Sequence, residues 1–230
     1  MSLKNSFETR FEDVTIQFEH LSFVDGIEAY KHLKVHSPTS NDTIIVTSEL
    51  QKCLKSQLLL TLYNVVEFTT YECLQTICDT IKDESIPFSK LTNKVFEVWH
   101  KTQYSSNLGI EKILKLSKKH MLQPNEAIEI CFSDNIFSGN VDYRKIVEVF
   151  TSLGCNINFQ FKSSSVPQSL LKIKNARNKL AHGEVSFSSL GSLYILREIE
   201  TLKDDVFECM DLLIKEVENY ISNKKYLNMH

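Results

Sequence analysis

Apolar residues along this chain recur mainly at steps of three and four, the spacing that lines one face of an α-helix. Phe7, Phe11, Val14, Phe18 and Leu21 predict a first helix of this kind. The segment 37-SPTSND-42 has loop composition, and the β-branched run 43-TIIVT-47 fits either strand or helix. Ser48-x-x-Gln51 then has the form of a capping box. It opens a long helix predicted to about Lys82, carried by Leu54, Leu58, Leu62, Val65, Phe68 and Leu74, with Tyr63 and Val66 widening the stripe. The pieces 83-DESIP-87 and 105-SSNLG-109 flank a helix that holds Val95, Phe96 and Trp99.

The second half is more broken. A short basic helix is predicted over 110-IEKILKLSKKH-120 and a loop over 134-DNIFSGN-140. The stretch 142-DYRKIVEVFTSLG-154 reads as a helix closed by Gly154 at the left-handed position after its end, and 155-CNINFQF-161 alternates like a short strand. Residues 163-SSSVPQ-168 lead into a helix that ends at Gly183. The last helix carries Ile199, Leu202, Val206, Met210, Leu213, Val217 and Tyr220, a three-four spacing suited to packing lengthwise on another helix. The pattern predicts one all-α domain over residues 1–230, a bundle with long core helices towards both ends. Residues 85–140 form an irregular insertion in it.

Composition agrees with this class. In 230 residues, 42% hydrophobic and 24% charged, there are only 6 Gly and 4 Pro, too few for the many turns of an all-β fold. The net charge of −3 argues against a broad, non-specific nucleic-acid binder, though not against a local basic site. The six cysteines are scattered and form no C-x-x-C pair, which predicts reduced, mostly buried thiols in a cytoplasmic protein. MSLKNSFETRFED lacks the apolar core of a secretory leader, and the longest apolar stretch, 57-QLLLTLYNVVEF-68, is too short to span a bilayer. These features predict a soluble chain without a membrane partner.

The segment 173-IKNARNKLAHGEVSF-187 departs from an ordinary amphipathic helix. At about 100° per residue, Val166, Leu170, Ile173, Leu180 and Ala181 share one arc, and Arg177 falls in its middle. His182 lies about 140° round from Arg177 and one i,i+4 step beyond Asn178. Lys172, Lys174, Arg177 and Lys179 share the helix, with no acid between Pro167 and His182. Two ordinary explanations exist. The helix dipole favours a histidine in a last turn, and Arg177 is a candidate for an ion pair with a buried carboxylate such as Glu67. A guanidinium taken out of water costs several kcal/mol unless paired, on the order of the penalty for other buried ions. Its place in an apolar arc therefore demands a partner or a ligand.

The string Arg177-Asn178-Lys179-Leu180-Ala181-His182 resembles the Arg-Asn-x-x-x-His signature of the HEPN superfamily, in particular its bacterial toxin and phage-defence branch. The helix 58-LLLTLYNVVEFTTYECL-74, with Asn64 and Glu67, is similar to the early core helix of that superfamily. The helix at 141–154 before the motif and the run 184-EVSFSSLG-191 after it agree as well. The resemblance implies a helical bundle that homodimerises through its motif helices. It also implies a metal-independent endoribonuclease site, without cofactor, in the cleft between the subunits. In that site His182 and Arg177 are catalytic, and Asn178 orients His182 or binds phosphate. Lys174 and Lys179 attract RNA, while Asn64, Glu67 and Glu184 are supporting residues. The partners implied are an RNA substrate, a second copy of the chain, and an antitoxin or defence-system protein. An alternative within the same superfamily is a non-catalytic adaptor that binds a nucleotide or a protein. Many catalytic members place a tyrosine two positions after the histidine, where this chain has Glu184. A carboxylate there repels RNA or acts on the neighbouring imidazole.

Two weaker candidates remain. His32 and His36 in 32-HLKVH-36 have the i,i+4 spacing of a metal pair but no third ligand nearby, so they read as solvated. Lys112, Lys115, Lys118, Lys119 and His120 form a basic face, a candidate RNA-backbone contact that more commonly is only solvated.

Overall fold

The computed structural model describes residues 2–26, 34–36, 39, 43–104, 137 and 140–228. Among these the chain forms α1 (Leu3–Gly26), β1 (Lys34–His36), β2 (Thr43–Ile45), α2 (Ser48–Asp83), a 3-10 turn (Phe88–Lys90) and α3 (Asn93–Tyr104). They continue with α4 (Tyr143–Leu153), α5 (Val166–Ala181), α6 (Phe187–Gly191) and α7 (Leu196–Ser222). The fold is all-α with one small antiparallel ribbon, in which Val35 pairs with Ile44. The ambiguous run at 43–47 thus supplies a strand and then leads into α2. Of the 85–140 segment, only the stretch through α3 and residues 137 and 140 are described, and the predicted basic helix at 110–120 lies outside them.

The chain divides into two compact units, Met1–Phe68 with Phe161–Cys209, and Thr69–Gln160 with Met210–His230. In the first, buried side chains come from α1 (Phe7, Val14, Leu21), α2 (Leu58, Leu62, Val65), α5 (Val166, Leu170, Ile173) and α7 (Ile199, Leu202, Val206). Each set follows the predicted three-four spacing. The entrance to α2 differs from the expected capping box. Thr47 is the capping residue, its hydroxyl accepting from the Leu50 N–H at 3.2 Å, while Gln51 reaches away to donate to the Val24 carbonyl at 3.1 Å. A threonine one place upstream performs the capping, so Gln51 is available to tie α2 to the end of α1.

In the second unit the buried side chains come from α2 (Leu74, Ile77, Ile81), α3 (Val95, Trp99), α4 (Ile146, Phe150, Leu153) and α7 (Met210, Leu213, Val217, Tyr220). Asp142 caps α4 by accepting from the Lys145 N–H, and Gly154 closes it at φ 99°, as its sequence position predicts. The alternating stretch 155–161 is not a strand. Cys155 and Ile157 are buried and Asn156 is exposed, as the alternation requires. The Asn156 N–H, however, donates to the Glu216 carboxylate of α7 at 2.9 Å. A helix side chain satisfies the backbone group that a neighbouring strand would otherwise pair. The described cysteines are free thiols, buried at Cys73, Cys78, Cys155 and Cys209 and half-buried at Cys53. Among the described residues no helix is long and apolar enough to cross a membrane.

Candidate functional site

The site is built on α5, which lies wholly in the first unit. Pro167 occupies its first turn, where a missing N–H breaks no helical bond. A buried carboxylate anchors that end. Asp205 of α7, 5% exposed, accepts from the hydroxyls of Ser165 at 2.8 Å and Ser169 at 2.5 Å. Val166, Ser169, Leu170, Ile173 and Ala176 form the buried face. The predicted apolar arc ends there: Leu180 is half-buried and Ala181 exposed. The periodicity runs on to the last turn, but among the described residues no other element covers that turn fully.

The end of α5 is fixed by backbone geometry. Gly183 adopts φ 67°, and its N–H donates to the Leu180 carbonyl at 3.1 Å. The Glu184 N–H reaches the Lys179 carbonyl at 2.9 Å, completing a Schellman motif in which His182 is the last half-helical residue. The His182 N–H still bonds the Asn178 carbonyl at 3.0 Å, so the imidazole is carried on a defined last turn and is exposed.

Arg177 is half-buried in the column that continues from Ile173. Its Nη1 donates to Asn178 Oδ1 at 3.1 Å, and its Cζ lies 4.9 Å from the centroid of the Tyr63 ring. Tyr63, 1% exposed on α2, donates its hydroxyl to Glu67 Oε1 at 3.4 Å, one turn further along the same helix. Tyr63 therefore touches the arginine with its ring face and the carboxylate with its hydroxyl. An attraction of this cation–π type contributes roughly 0.5–2 kcal/mol, depending on how dry the contact is.

The structure thus brings Arg177, Asn178 and Glu67 into one group joined through Tyr63. Lys174 is half-buried; Lys179, Glu184 and Asn64 are exposed. The sequence pattern gave Tyr63 only a packing role and gave Asp205 none. The available signals were the i,i+4 spacing of Tyr63 and Glu67, and a carboxylate lodged between the buried Leu202 and Val206 in the apolar stripe of α7. For the histidine pair, Lys34–His36 is extended, so the helical i,i+4 argument fails at His36, and His32 lies outside the described residues. Among the described residues no group of three or more His, Cys, Asp or Glu is placed to hold a metal.

A family model matches almost the whole chain. That of the MAE_28990-like HEPN domains covers residues 7–226, spanning both compact units and the entire Arg177–His182 string. No curated protein and no solved structure matches the chain.

Proposed function

This chain belongs to the MAE_28990-like HEPN family, and from that premise we propose that it is a metal-independent endoribonuclease acting as a homodimer. The observation that carries the reading is the open end of α5. A solvent-exposed imidazole and a restrained guanidinium share its last two turns, on a helix that bears Lys172, Lys174 and Lys179 and no acid between Pro167 and His182.

The chemistry follows from those groups. His182 takes the proton of an RNA 2′-OH as the O2′–P bond forms. The P–O5′ bond breaks, and His182 of the partner subunit protonates the departing 5′-oxygen. Arg177 presents its planar fork to the phosphate oxygens, where negative charge builds in the pentavalent state. Asn178, already bonded to Arg177, holds the fork, and Lys174 and Lys179 attract the RNA backbone. The products carry a 2′,3′-cyclic phosphate and a 5′-hydroxyl.

The motif helix of one chain supplies a single imidazole, so an acid and a base both drawn from it require two copies. An isologous pair of α5 helices provides them. In support, Phe187, Leu193 and Ile195 follow His182 closely and are exposed, the last two at 67% and 63%. Apolar side chains so open to water beside a candidate cleft suit a subunit contact. The setting we propose is cytoplasmic, in a toxin–antitoxin or phage-defence system with a protein that restrains the nuclease.

Glu184 supports a second reading. Its side chain is exposed two residues after His182, where a carboxylate opposes RNA and suits a non-catalytic adaptor that binds a nucleotide or a protein. Incubating the purified protein with total RNA and EDTA separates the two. The nuclease reading expects cleavage with cyclic-phosphate ends, lost in H182A and R177A while the dimer persists. Unchanged cleavage by both variants removes this site from consideration, and intact RNA with the wild type favours the adaptor.

A further inference from the structure

The backbone from His182 to Phe187 is held at both ends. At its start the Glu184 N–H closes α5 on the Lys179 carbonyl at 2.9 Å. At its end Ser186 caps α6, its hydroxyl accepting from the Ser189 N–H at 3.1 Å, and the buried Ser56 hydroxyl donates to the Phe187 carbonyl at 2.6 Å. The five residues between them span roughly 18 Å at most, so Phe187 stays within a few nucleotides of the imidazole. Two side chains on this stretch have no counterpart in the chain. Phe187 is 40% exposed, and among the described residues no ring or cation lies against it. Phe207, exposed to a similar degree, instead packs on the rings of Phe7 and Phe11. Glu184 is exposed, and among the described residues its carboxylate meets no donor or cation.

We propose that Phe187 and Glu184 form a nucleobase subsite that selects guanine beside the cleaved phosphate. The inference rests on the nuclease reading of His182 and Arg177. Charge sorts which part of an RNA strand each residue meets. Lys172, Lys174 and Lys179 on α5 attract phosphates, whereas a carboxylate at position 184 opposes them and accepts N–H groups. A nucleobase is uncharged, so it is the part of the strand that Glu184 admits. The flat face of Phe187 suits stacking on any base. Leu193 and Ile195 are more exposed and lack such a face, so they suit the subunit contact better. Stacking discriminates little between bases, and selection therefore falls to Glu184. A carboxylate accepts two parallel N–H bonds on its two oxygens. Guanine alone presents that pair, its N1–H beside an N2 amino hydrogen. Adenine and cytosine each offer one amino group next to a ring-nitrogen acceptor that a carboxylate repels. Uracil offers a single N–H between two carbonyls.

A set of short RNAs tests this, differing only at the two bases that flank one scissile phosphate. Each position carries guanine, adenine, cytosine, uracil or an abasic ribose, and cleavage is measured in EDTA. The wild type is expected to prefer guanine at one of the positions by about tenfold or more in kcat/KM, the discrimination of a good bidentate base contact. E184Q, whose carboxamide keeps one acceptor oxygen, is expected to lose that preference. The preference is a ratio within one variant, so a general loss of activity does not imitate it. F187A is expected to weaken cleavage of all four strands about tenfold and to leave the abasic strand unchanged. F187W is expected to retain wild-type cleavage, and F187L is expected to behave as F187A. Binding is followed separately with 2′-deoxy strands, which lack the attacking hydroxyl. The fluorescence of F187W is expected to fall with the guanine strand by more than that of Trp99 in the wild type, the one native tryptophan. Cleavage indifferent to the flanking bases, a guanine preference kept in E184Q, or a dimer that dissociates in F187A overturns the subsite. The nuclease reading fails by a different result. A wild type that binds the guanine strand selectively but cuts nothing keeps the subsite and removes catalysis, and one that neither cuts nor binds removes both.

Discussion

Gly191 of α6 lies so close to Lys52 of α2 that a methyl group on its Cα would overlap the Lys52 carbonyl. The neighbouring Ser56 hydroxyl, fully buried, donates to the Phe187 carbonyl at 2.6 Å. Together these contacts fasten the segment that follows the motif helix onto the start of α2. The obstructing group in the first contact is backbone, which has little room to yield. Gly191→Ala is therefore expected to cost about 2–3 kcal/mol, the upper part of the range for overpacking, measured by urea denaturation. A cost below about 0.5 kcal/mol would mean that the two segments separate easily.

Gly183 has the opposite character. A methyl there meets nothing within 4 Å, but the backbone stands at φ 67°. Only conformational strain opposes a side chain, so Gly183→Ala is expected to cost about 1 kcal/mol. Gly183→Asn, which tolerates the left-handed region better, is expected to recover part of that loss in the same denaturation assay.

The apolar side chains beyond His182 test the dimer directly. Leu193 and Ile195 are mostly exposed, so charging them disturbs no buried packing within the chain. L193E and I195E are expected to retain the helical circular dichroism of the wild type, to run as monomers in light scattering, and to lose RNA cleavage. A dimer that survives both substitutions would place the subunit contact elsewhere.

Alkaline pH probes the second unit. Burial, aided by the Glu84 carboxylate that its hydroxyl meets at 3.0 Å, pushes the Tyr226 phenol up to about 12 from 10.0. The unfolded chain therefore releases this proton first as pH rises. The stabilisation is complete below pH 10 and is lost between there and about 12. Urea midpoints are expected to fall over that window, with a shallower fall in Y226F. Part of the loss is expected to persist in Y226F, because burial also pushes the Cys155 thiol up, to about 12.

The sequence by itself determined the helices and the motif they carry. Every apolar position named for α7, from Ile199 to Tyr220, is buried, because helical periodicity is local and one long face leaves little choice of which side to bury. The glycines ending α4 and α5 were legible for a similar reason, since a left-handed residue depends on its own backbone. Arg177, Asn178 and His182 were also visible as a string.

Tertiary structure decided what those residues touch. That Arg177 meets the Tyr63 ring and Glu67 the Tyr63 hydroxyl depends on how α2 and α5 cross. Burial of Asp205 against two serines depends likewise on where α7 meets the start of α5. The alternation at 155–161 suggested a strand because period-two burial looks the same whether a sheet or a helix side chain satisfies the backbone. Contacts between segments distant in sequence arise from packing whole faces together, and no local pattern encodes which atoms then fall within bonding distance.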